Sequence, residues 1–539
     1  MKKVFWTLSA VTLAALTACS VKMAGSSRRA GIDPLIVRAH FIGTEQLLAS
    51  PDAAKLNELW SLKSSAALRN EWLTRAALLP SFWLGDVLPQ GAPNHTNLFR
   101  PLLEDVLARE SYLDANASPD FVLAVKASND RAKLWQTNLW QALTGWNLGQ
   151  PTAVQSGGAS GFEIKRTGIP GVFRYLRAGE WIIVSAGTGK SAREQEFLAG
   201  IKASGRPAKP SGAWLDGAAN LARFDGWLPA LSQFQNLPIA HFSFSNRADF
   251  VRTHAIFEFP KAHGWKAEPW IIPTNQIHDP LISFIVARGI APVLDGFKAF
   301  ADLGIKPTPN QVTGWGYSSL PFQFNYALPS KDAREKIKPL APRLANAIQG
   351  PQRTNFTGNI NLASNGQEIV WTSLPVAAPR VGALRDSGNE YLAMAMFPSF
   401  RTTNPPPPGL FQSLGGRNDL VAFDFEITSM RIPHWRQIYQ LAEIASRRPV
   451  TATNTPFQSW IFEFQKNLEG KPQQAECVTE LRANSSTQMT LARKSAIGFT
   501  AAEIVTLGRW LESVEFPAFG VYSPAPPKRL PPRRQPGAK

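Results

Sequence analysis

The chain has 539 residues, 44% of them hydrophobic, with two cysteines and a formal net charge of +17. That is enough apolar material for two or more domains with their own cores, and too few cysteines for a disulfide framework, so the disordered and disulfide-stapled classes are excluded. The charge is concentrated at the ends: Lys2, Lys3, Lys22, Arg28 and Arg29 at one, Lys528, Arg529, Arg533, Arg534 and Lys539 at the other, and setting these ten aside leaves +7 for the body. A mildly basic body does not call for nucleic acid, and no nucleic-acid partner is expected.

Met1-Lys2-Lys3 is followed by an apolar run from Val4 to Leu16 and then by Leu16-Thr17-Ala18-Cys19. A charged start, an apolar stretch of about a dozen residues and small residues before a cut define a secretory signal peptide, and the run is shorter than the roughly 20 residues that span a bilayer. The final tetrapeptide resembles the lipobox of bacterial lipoproteins. That resemblance implies cleavage before Cys19 and acylation of Cys19 as the lipidation site, with stable anchoring because each buried methylene contributes about 0.8 kcal/mol. Residues 1–18 are then the signal peptide and 19–34 a lipidated tether. Ser20, in place of the Asp associated with inner-membrane retention, implies an outer-membrane anchor facing the periplasm. With Cys19 acylated, Cys477 has no intramolecular disulfide partner.

Helical spacing starts at Pro51 and runs to about Leu88, with Leu56, Leu59 and Trp60 on one stripe and Leu68, Trp72, Leu73 and Ala76 on another. A further helix is expected over Leu102–Leu113, then a strand over Phe121–Ala127 whose odd positions face a core, then a helix over Asp130–Trp146. Phe162–Lys165, Val172–Leu176 and Trp181–Val184 suggest a meander, and Ser191–Ile201 a helix. Arg252–Phe259, Phe322–Tyr326 and Asn355–Leu362 alternate as half-buried strands, and Lys331–Ile348 reads as a helix interrupted by Pro339 and Pro342. Thr500-Ala501-Ala502-Glu503 is a capping box opening a helix with Ile504, Leu507, Trp510 and Leu511 on one face. The class is therefore α+β, mainly antiparallel sheets with packed helices. Phe121, Leu123, Val125, Ala127, Arg131 and Trp135 match Val421, Phe423, Phe425, Ile427, Arg431 and Trp435 at a separation of 300, which suggests two related halves, 35–260 and 261–522. Asn404–Gly409 is a stiff proline connector within the second half, and 523–539 is a disordered tail rich in Pro and Arg.

Motifs that could carry chemistry fail on inspection. Gly187-Thr188-Gly189-Lys190-Ser191 resembles a phosphate-cradling P-loop, but Val184 stands where the first glycine belongs. His40, His95, His241, His254, His263, His278 and His434 form no HExxH or i, i+4 pair; His241 and His254 could be cross-strand neighbours, and Asp279 sits beside His278. Gly157-Gly158-Ala159-Ser160-Gly161 lacks the spacing of a nucleophile elbow. Asp424 and Glu426 share one strand face at a spacing compatible with glycoside hydrolysis, yet they oppose the apolar face of Val421, Phe423, Phe425 and Ile427, so solvent exposure is expected. Trp60, Trp72, Trp83, Trp135, Trp140 and Trp146 crowd the first 150 residues, and core packing accounts for those on apolar stripes.

No catalytic, cofactor or metal site is expected. The body is similar in style to large exported proteins of unknown function from planctomycete- and verrucomicrobia-type bacteria, through His40–Thr44, Pro280–Gly289 and Ser495–Thr500; that resemblance carries no mechanism. The leading expectation is a non-catalytic envelope lipoprotein, held on the membrane through Cys19, that binds a cell-wall polymer or an envelope protein. The alternative is an envelope hydrolase acting on glycan or peptide with a dispersed active site.

Overall fold

A computed structural model describes residues 35–513 and 516, leaving out 84–87, 89–90, 117–119, 166–170, 188–190, 225–230, 232–233, 248–249, 319–322, 350–357, 375–376, 398–403, 405–407, 446–454, 472–474 and 514–515. Cys19, its tether and the tail 523–539 lie outside the described residues.

Ten strands form the first half: β1 (Leu35–Phe41), β2 (Ser111–Asn116), β3 (Phe121–Lys126), β4 (Pro151–Ser156), β5 (Ala159–Lys165), β6 (Val172–Ala178), β7 (Trp181–Gly187), β8 (Leu215–Asn220), β9 (Ile239–Arg247) and β10 (Phe250–Glu258). Ten more follow: β11 (Leu281–Arg288), β12 (Gln311–Tyr317), β13 (Phe324–Pro329), β14 (Asn359–Leu362), β15 (Glu368–Thr372), β16 (Arg380–Asp386), β17 (Asn389–Ala395), β18 (Leu420–Ile427), β19 (Glu476–Ala483) and β20 (Gln488–Ser495). All are antiparallel in one sheet, whose hydrogen-bonded neighbours run β4-β5-β6-β7-β3-β2-β1-β8-β9-β10 and continue β20-β19-β18-β11-β12-β13-β17-β16-β15-β14. Read from each outer edge inward, the two halves have the same order, with every strand number raised by ten. They join through β10 and β20, paired from Val251↔Ser495 to Glu258↔Gln488.

The helices extend the equivalence and also break it. Between β1 and β2 lie α1 (Thr44–Ala49), α2 (Ala54–Trp60), α3 (Lys63–Ala76), α4 (Leu79–Trp83) and α5 (Thr96–Ala108); α6 (Asn129–Gly145) follows β3, and α7 (Ala192–Ser204) follows β7. In the second half α8 (Ala291–Asp295) and α9 (Lys298–Ala301) fall between β11 and β12, α10 (Ala333–Gln349) follows β13, and α11 (Pro408–Gln412) precedes β18. Then α12 (Thr428–Ala445) and α13 (Pro456–Leu468) fall between β18 and β19, and α14 (Ala501–Glu512) follows β20. The 17-residue helices α6 and α10 occupy equivalent places. Trp135, Leu139 and Leu143 of α6 pack with Ile164, Tyr175 and Val184, as Ile337, Leu340 and Ala341 of α10 pack with Ile360, Ile369 and Leu392.

Phe197 and Leu198 of α7 cover the opposite sheet face over Val122, Ala124 and Ile183. Both faces of β3 are therefore buried, with Val122 and Ala124 at 1% and 0% exposure, and not its odd positions alone. Strand β10 keeps the expected alternation, with Ala255 and Phe257 in the core and Arg252, His254 and Glu258 exposed.

Helices of both halves close over the sheet in one shared core. Leu59 and Leu68 (α2, α3) pack with Ile432, Trp435 and Tyr439 (α12), with Phe457, Ile461 and Phe464 (α13), and with Ile504 and Val505 (α14). Burial of each such large apolar side chain stabilises by about 1.5–3 kcal/mol. The expected capping box on α14 is present: Glu503 N–H donates to Thr500 Oγ1 at 3.3 Å and Thr500 N–H donates to Glu503 Oε2 at 2.8 Å. The chain joining the halves is clamped by Arg288, 2% exposed, whose guanidinium lies 4.3 Å over the Trp270 ring and whose Nε donates to the Leu420 carbonyl at 2.8 Å.

Several expectations are corrected. The helix expected at Leu102–Leu113 is shifted to Thr96–Ala108, and Leu113 sits in β2. The helix over 331–348 runs unbroken through Pro339 and Pro342, because Ile337, Leu340 and Ala341 are anchored in the core and offset the lost backbone bonds. The separation of 300 is not the structural repeat: it aligns β3 with β18, whereas the sheet order makes β13 the counterpart of β3 and β8 the counterpart of β18.

Candidate functional site

Of the acid pair singled out in the sequence, Glu426 is buried and Asp424 half-buried. Asp424 and Glu426 lie on one face of β18, opposite Ile285 and Ser283 of β11 and opposite Thr479 and Cys477 of β19. That face is roofed by the starts of α12 and α14, and Glu426 is 4% exposed. Its Oε1 accepts from Ala501 N–H at 2.6 Å and from Thr428 Oγ1 at 3.2 Å. Farther along the row, Arg493 (3% exposed) donates to Glu503 at 2.7 and 3.1 Å and to Thr479 Oγ1 at 2.9 Å. On α12, Arg431 lies 3.3 Å from His434 Nδ1.

Burial first, then the neighbouring Glu426 carboxylate, holds Asp424 above the usual carboxylate range; burial also raises Glu426. Burial, with the Arg431 cation, pushes His434 down to about 3, so its ring is neutral. The expectation of solvent-facing acids fails at Glu426 and is met only in part at half-buried Asp424, because the cover comes from remote segments. A carboxyl that keeps its proton near neutrality could act as a general acid, but this pair lies under helices.

A second polar centre joins residues far apart in sequence. His40 on β1 places Nδ1 3.1 Å from Asp216 and Nε2 3.3 Å from Glu110, and its ring stacks 4.3 Å from that of Tyr112. Burial opposes protonation, but the hydrogen bonds to Asp216 and Glu110 outweigh it and raise the imidazole. With both ring nitrogens directed at carboxylates, the centre is a buried ionic clamp across β2, β1 and β8.

Beside the covered acid row lies an apolar groove of about 350 Å³. Its floor is the helix-bearing face of five adjacent strands: Phe324 of β13, Met394 of β17, Val381 of β16, Ile369 and Trp371 of β15, and Ile360 of β14. Leu344 of α10 forms one wall, and Ile438 and Leu441 of α12 the other. Arg380 also borders it, but strand alternation turns its side chain to the opposite sheet face, where Nη1 meets Glu368 at 3.2 Å. Met394 remains 38% exposed. In the first half the counterparts Phe121, Phe173, Tyr175 and Val184 share a core with Phe99, Leu102 and Val106 of α5. No sequence motif marks the groove; its only trace is the alternation of Met394 and Met396 in β17 and the residue after it.

The remaining sequence candidates are structural or lie outside the described residues. Thr188, Gly189 and Lys190 of the P-loop-like segment are outside them, and Gly187 lies against the Asp120 side chain. His241 and His254 are not opposed: His241 pairs with Ile256 and His254 with Ser243, and His241 Nε2 lies 3.4 Å from Glu258. His278 Nδ1 meets the Asn404 carbonyl at 2.7 Å. Trp135 and Trp146 are 3% and 1% exposed, and their indole N–H groups donate to Asp105 Oδ2 and the Pro93 carbonyl. Among the described residues no cluster of His, Cys, Asp and Glu is arranged to hold a metal, and no helix is long and apolar enough to cross a membrane. No family model, curated protein or solved structure matches the chain.

Proposed function

We propose that this chain is a lipid-anchored envelope protein that acts by binding, and that the groove between α10 and α12 is its site for a hydrophobic ligand. The groove carries the reading: its volume of about 350 Å³ falls within the roughly 300–1,000 Å³ range of small-molecule sites. Its floor and walls offer hydrocarbon and no acid, base or nucleophile among the described residues. The anchor reading rests on Leu16–Cys19, and the basic tail would add electrostatic attraction to anionic headgroups, about 1 kcal/mol per residue near the surface.

Two measurements test it. Cells grown with an alkyne palmitate analogue should label the wild-type chain, and the Cys19→Ser chain should be unlabelled and released from membranes. The released chain should then enhance the fluorescence of the apolar probe N-phenylnaphthylamine saturably, and Met394→Trp, which fills the groove, should remove that enhancement. Absence of saturable probe binding would sink the binding reading.

A further inference from the structure

Resting on that reading, we infer that the groove's ligand carries one anionic oxyacid group, a carboxylate or a phosphate, and that Arg431 receives it at the end of the groove nearest the acid row.

An incomplete charge balance carries the argument. Arg431 is 6% exposed and has no ion-pair partner among the described residues. Its Nη1 donates to His434 Nδ1 at 3.3 Å, its Nε is buried without an acceptor, and the Trp435 ring lies 5.5 Å from the charge. Between residues 319 and 454 the segments outside the description (319–322, 350–357, 375–376, 398–403, 405–407 and 446–454) contain no Asp or Glu that could complete the pair. A charge taken out of water is costly unless it is paired. The acids nearby do not supply the missing partner. Glu503 is taken by Arg493, and Glu426 spends Oε1 on Ala501 N–H and Thr428. Burial keeps Asp424 and Glu426 above the usual carboxylate range even though the Arg431 charge draws both down. One further anion would balance the row.

Position ties this cation to the groove. Arg431, His434, Ile438 and Leu441 recur at three and four residues and so share one stripe of α12, and the last two wall the groove. Arg431 lies over Gly316, where Nη1 comes within 3.2 Å of the place a Cβ would take. Gly316 pairs with Phe324 of the groove floor. The guanidinium therefore stands one strand spacing, about 4.8 Å, beyond the apolar floor. His434 accepts through Nδ1, and its ring is neutral, so its proton sits on Nε2 as a second donor. A ligand filling the groove meets hydrocarbon along its body and these two donors at its inner end. Selection acts on charge.

The test uses two fluorescent probes that share one body. N-phenylnaphthylamine is neutral, and anilinonaphthalene sulfonate is the same body with one sulfonate added. On the Cys19→Ser chain the sulfonate should bind about tenfold to hundredfold tighter, the span of one charge-assisted hydrogen bond. Arg431→Met should bring the two affinities together while the neutral probe binds as before. Arg431→Lys keeps the charge but loses the planar fork, so its preference should fall between. Met394→Trp should remove both probes, which places the sulfonate in the groove. Dodecanoate and dodecyl phosphate should each displace the neutral probe better than dodecanol, and the stronger of the two identifies the anionic group. Equal affinity for the two probes would overturn the assignment and leave the binding reading intact. So would a sulfonate preference that survives both Arg431 variants, since it would belong to other cations such as the basic tail. Should Arg431→Met lose the neutral probe as well, the groove itself is damaged there and Arg431→Lys decides: an undiminished preference overturns the assignment. Failure of both probes on the Cys19→Ser chain removes both readings.

Discussion

The ion pair between Arg493 and Glu503 allows the most demanding test of the buried row. Arg493 is 3% exposed and Glu503 2% exposed, and they share two hydrogen bonds of 2.7 and 3.1 Å. Glu503→Gln keeps the shape and an amide oxygen for the Thr500 N–H, so the cap on α14 survives, but it leaves a buried guanidinium without its partner. Breaking a buried pair from one side costs about 3–5 kcal/mol. Part of that is recovered because Asp424 and Glu426, both raised by the Glu503 charge as well as by burial, ionise more readily once it is gone. We therefore expect a loss near 3 kcal/mol at pH 7, the low end of that range. Arg493→Met has no such compensation, leaves three carboxylates together, and should cost nearer 5 kcal/mol. Combining Arg493→Met with Glu503→Gln should cost at least about 2 kcal/mol less than the two losses added, because residues in one network couple by 0.5–3 kcal/mol. The assay is urea denaturation with midpoints compared at a common slope. Additivity within about 0.5 kcal/mol would refute the account, since it would mean that the two charges do not sense each other.

The His40 clamp predicts a pH signature. A raised imidazole contributes stability that is fully present below the ordinary value of 6.5 and lost as pH rises through the native value; the lowered Glu110 and Asp216 contribute above 4.5 and 3.8 and lose it as pH falls. Stability relative to His40→Gln should thus be greatest between those limits and shrink as pH rises past the raised native value of the imidazole, as read by thermal unfolding across pH; a difference that grows on the alkaline side would remove the clamp. In α14, Gly508→Ala should destabilise by about 1–3 kcal/mol despite the better helix former, because its Cβ would enter the buried Phe457 ring. Phe457→Leu in the same chain should recover part of that loss in denaturant unfolding, and no recovery would locate the strain elsewhere.

Local signals made the fold class readable. The capping box at Thr500 and the alternation of β10 each depend on residues within one turn or one strand. The repeat was not readable as a single separation, because insertions change it along the chain. β1 and β11 start 246 residues apart, with Asp-Pro-Leu-Ile at 33–36 and again at 279–282, and Gly43 answering Gly289 at positive φ. The long α1–α5 insertion drops the separation to 200 at β2 and β12, and α12 with α13 raises it to 238 at β10 and β20. A scan at one fixed offset averages over these and instead finds the chance match at 300. The groove was less legible still, since its floor and walls come from five strands and two helices whose proximity only the sheet order reveals.

The two halves differ in where their helices are inserted, and the chemistry follows that difference. In the first half the insertion falls after strand one, and Phe99, Leu102 and Val106 of α5 fill the space beside α6. In the second half the long insertion falls after strand eight, so α12 begins over Asp424 and Glu426 and only its far turns, at Ile438 and Leu441, reach the space beside α10. One helix thus roofs the acid pair at its start and walls the groove at its end. This is why the alternation of β18 looked like a strand with a wet face: nothing within β18 encodes the lid that α12 and α14 supply. Among the described residues the same difference leaves the groove beside α10, whereas α5 fills the equivalent place beside α6.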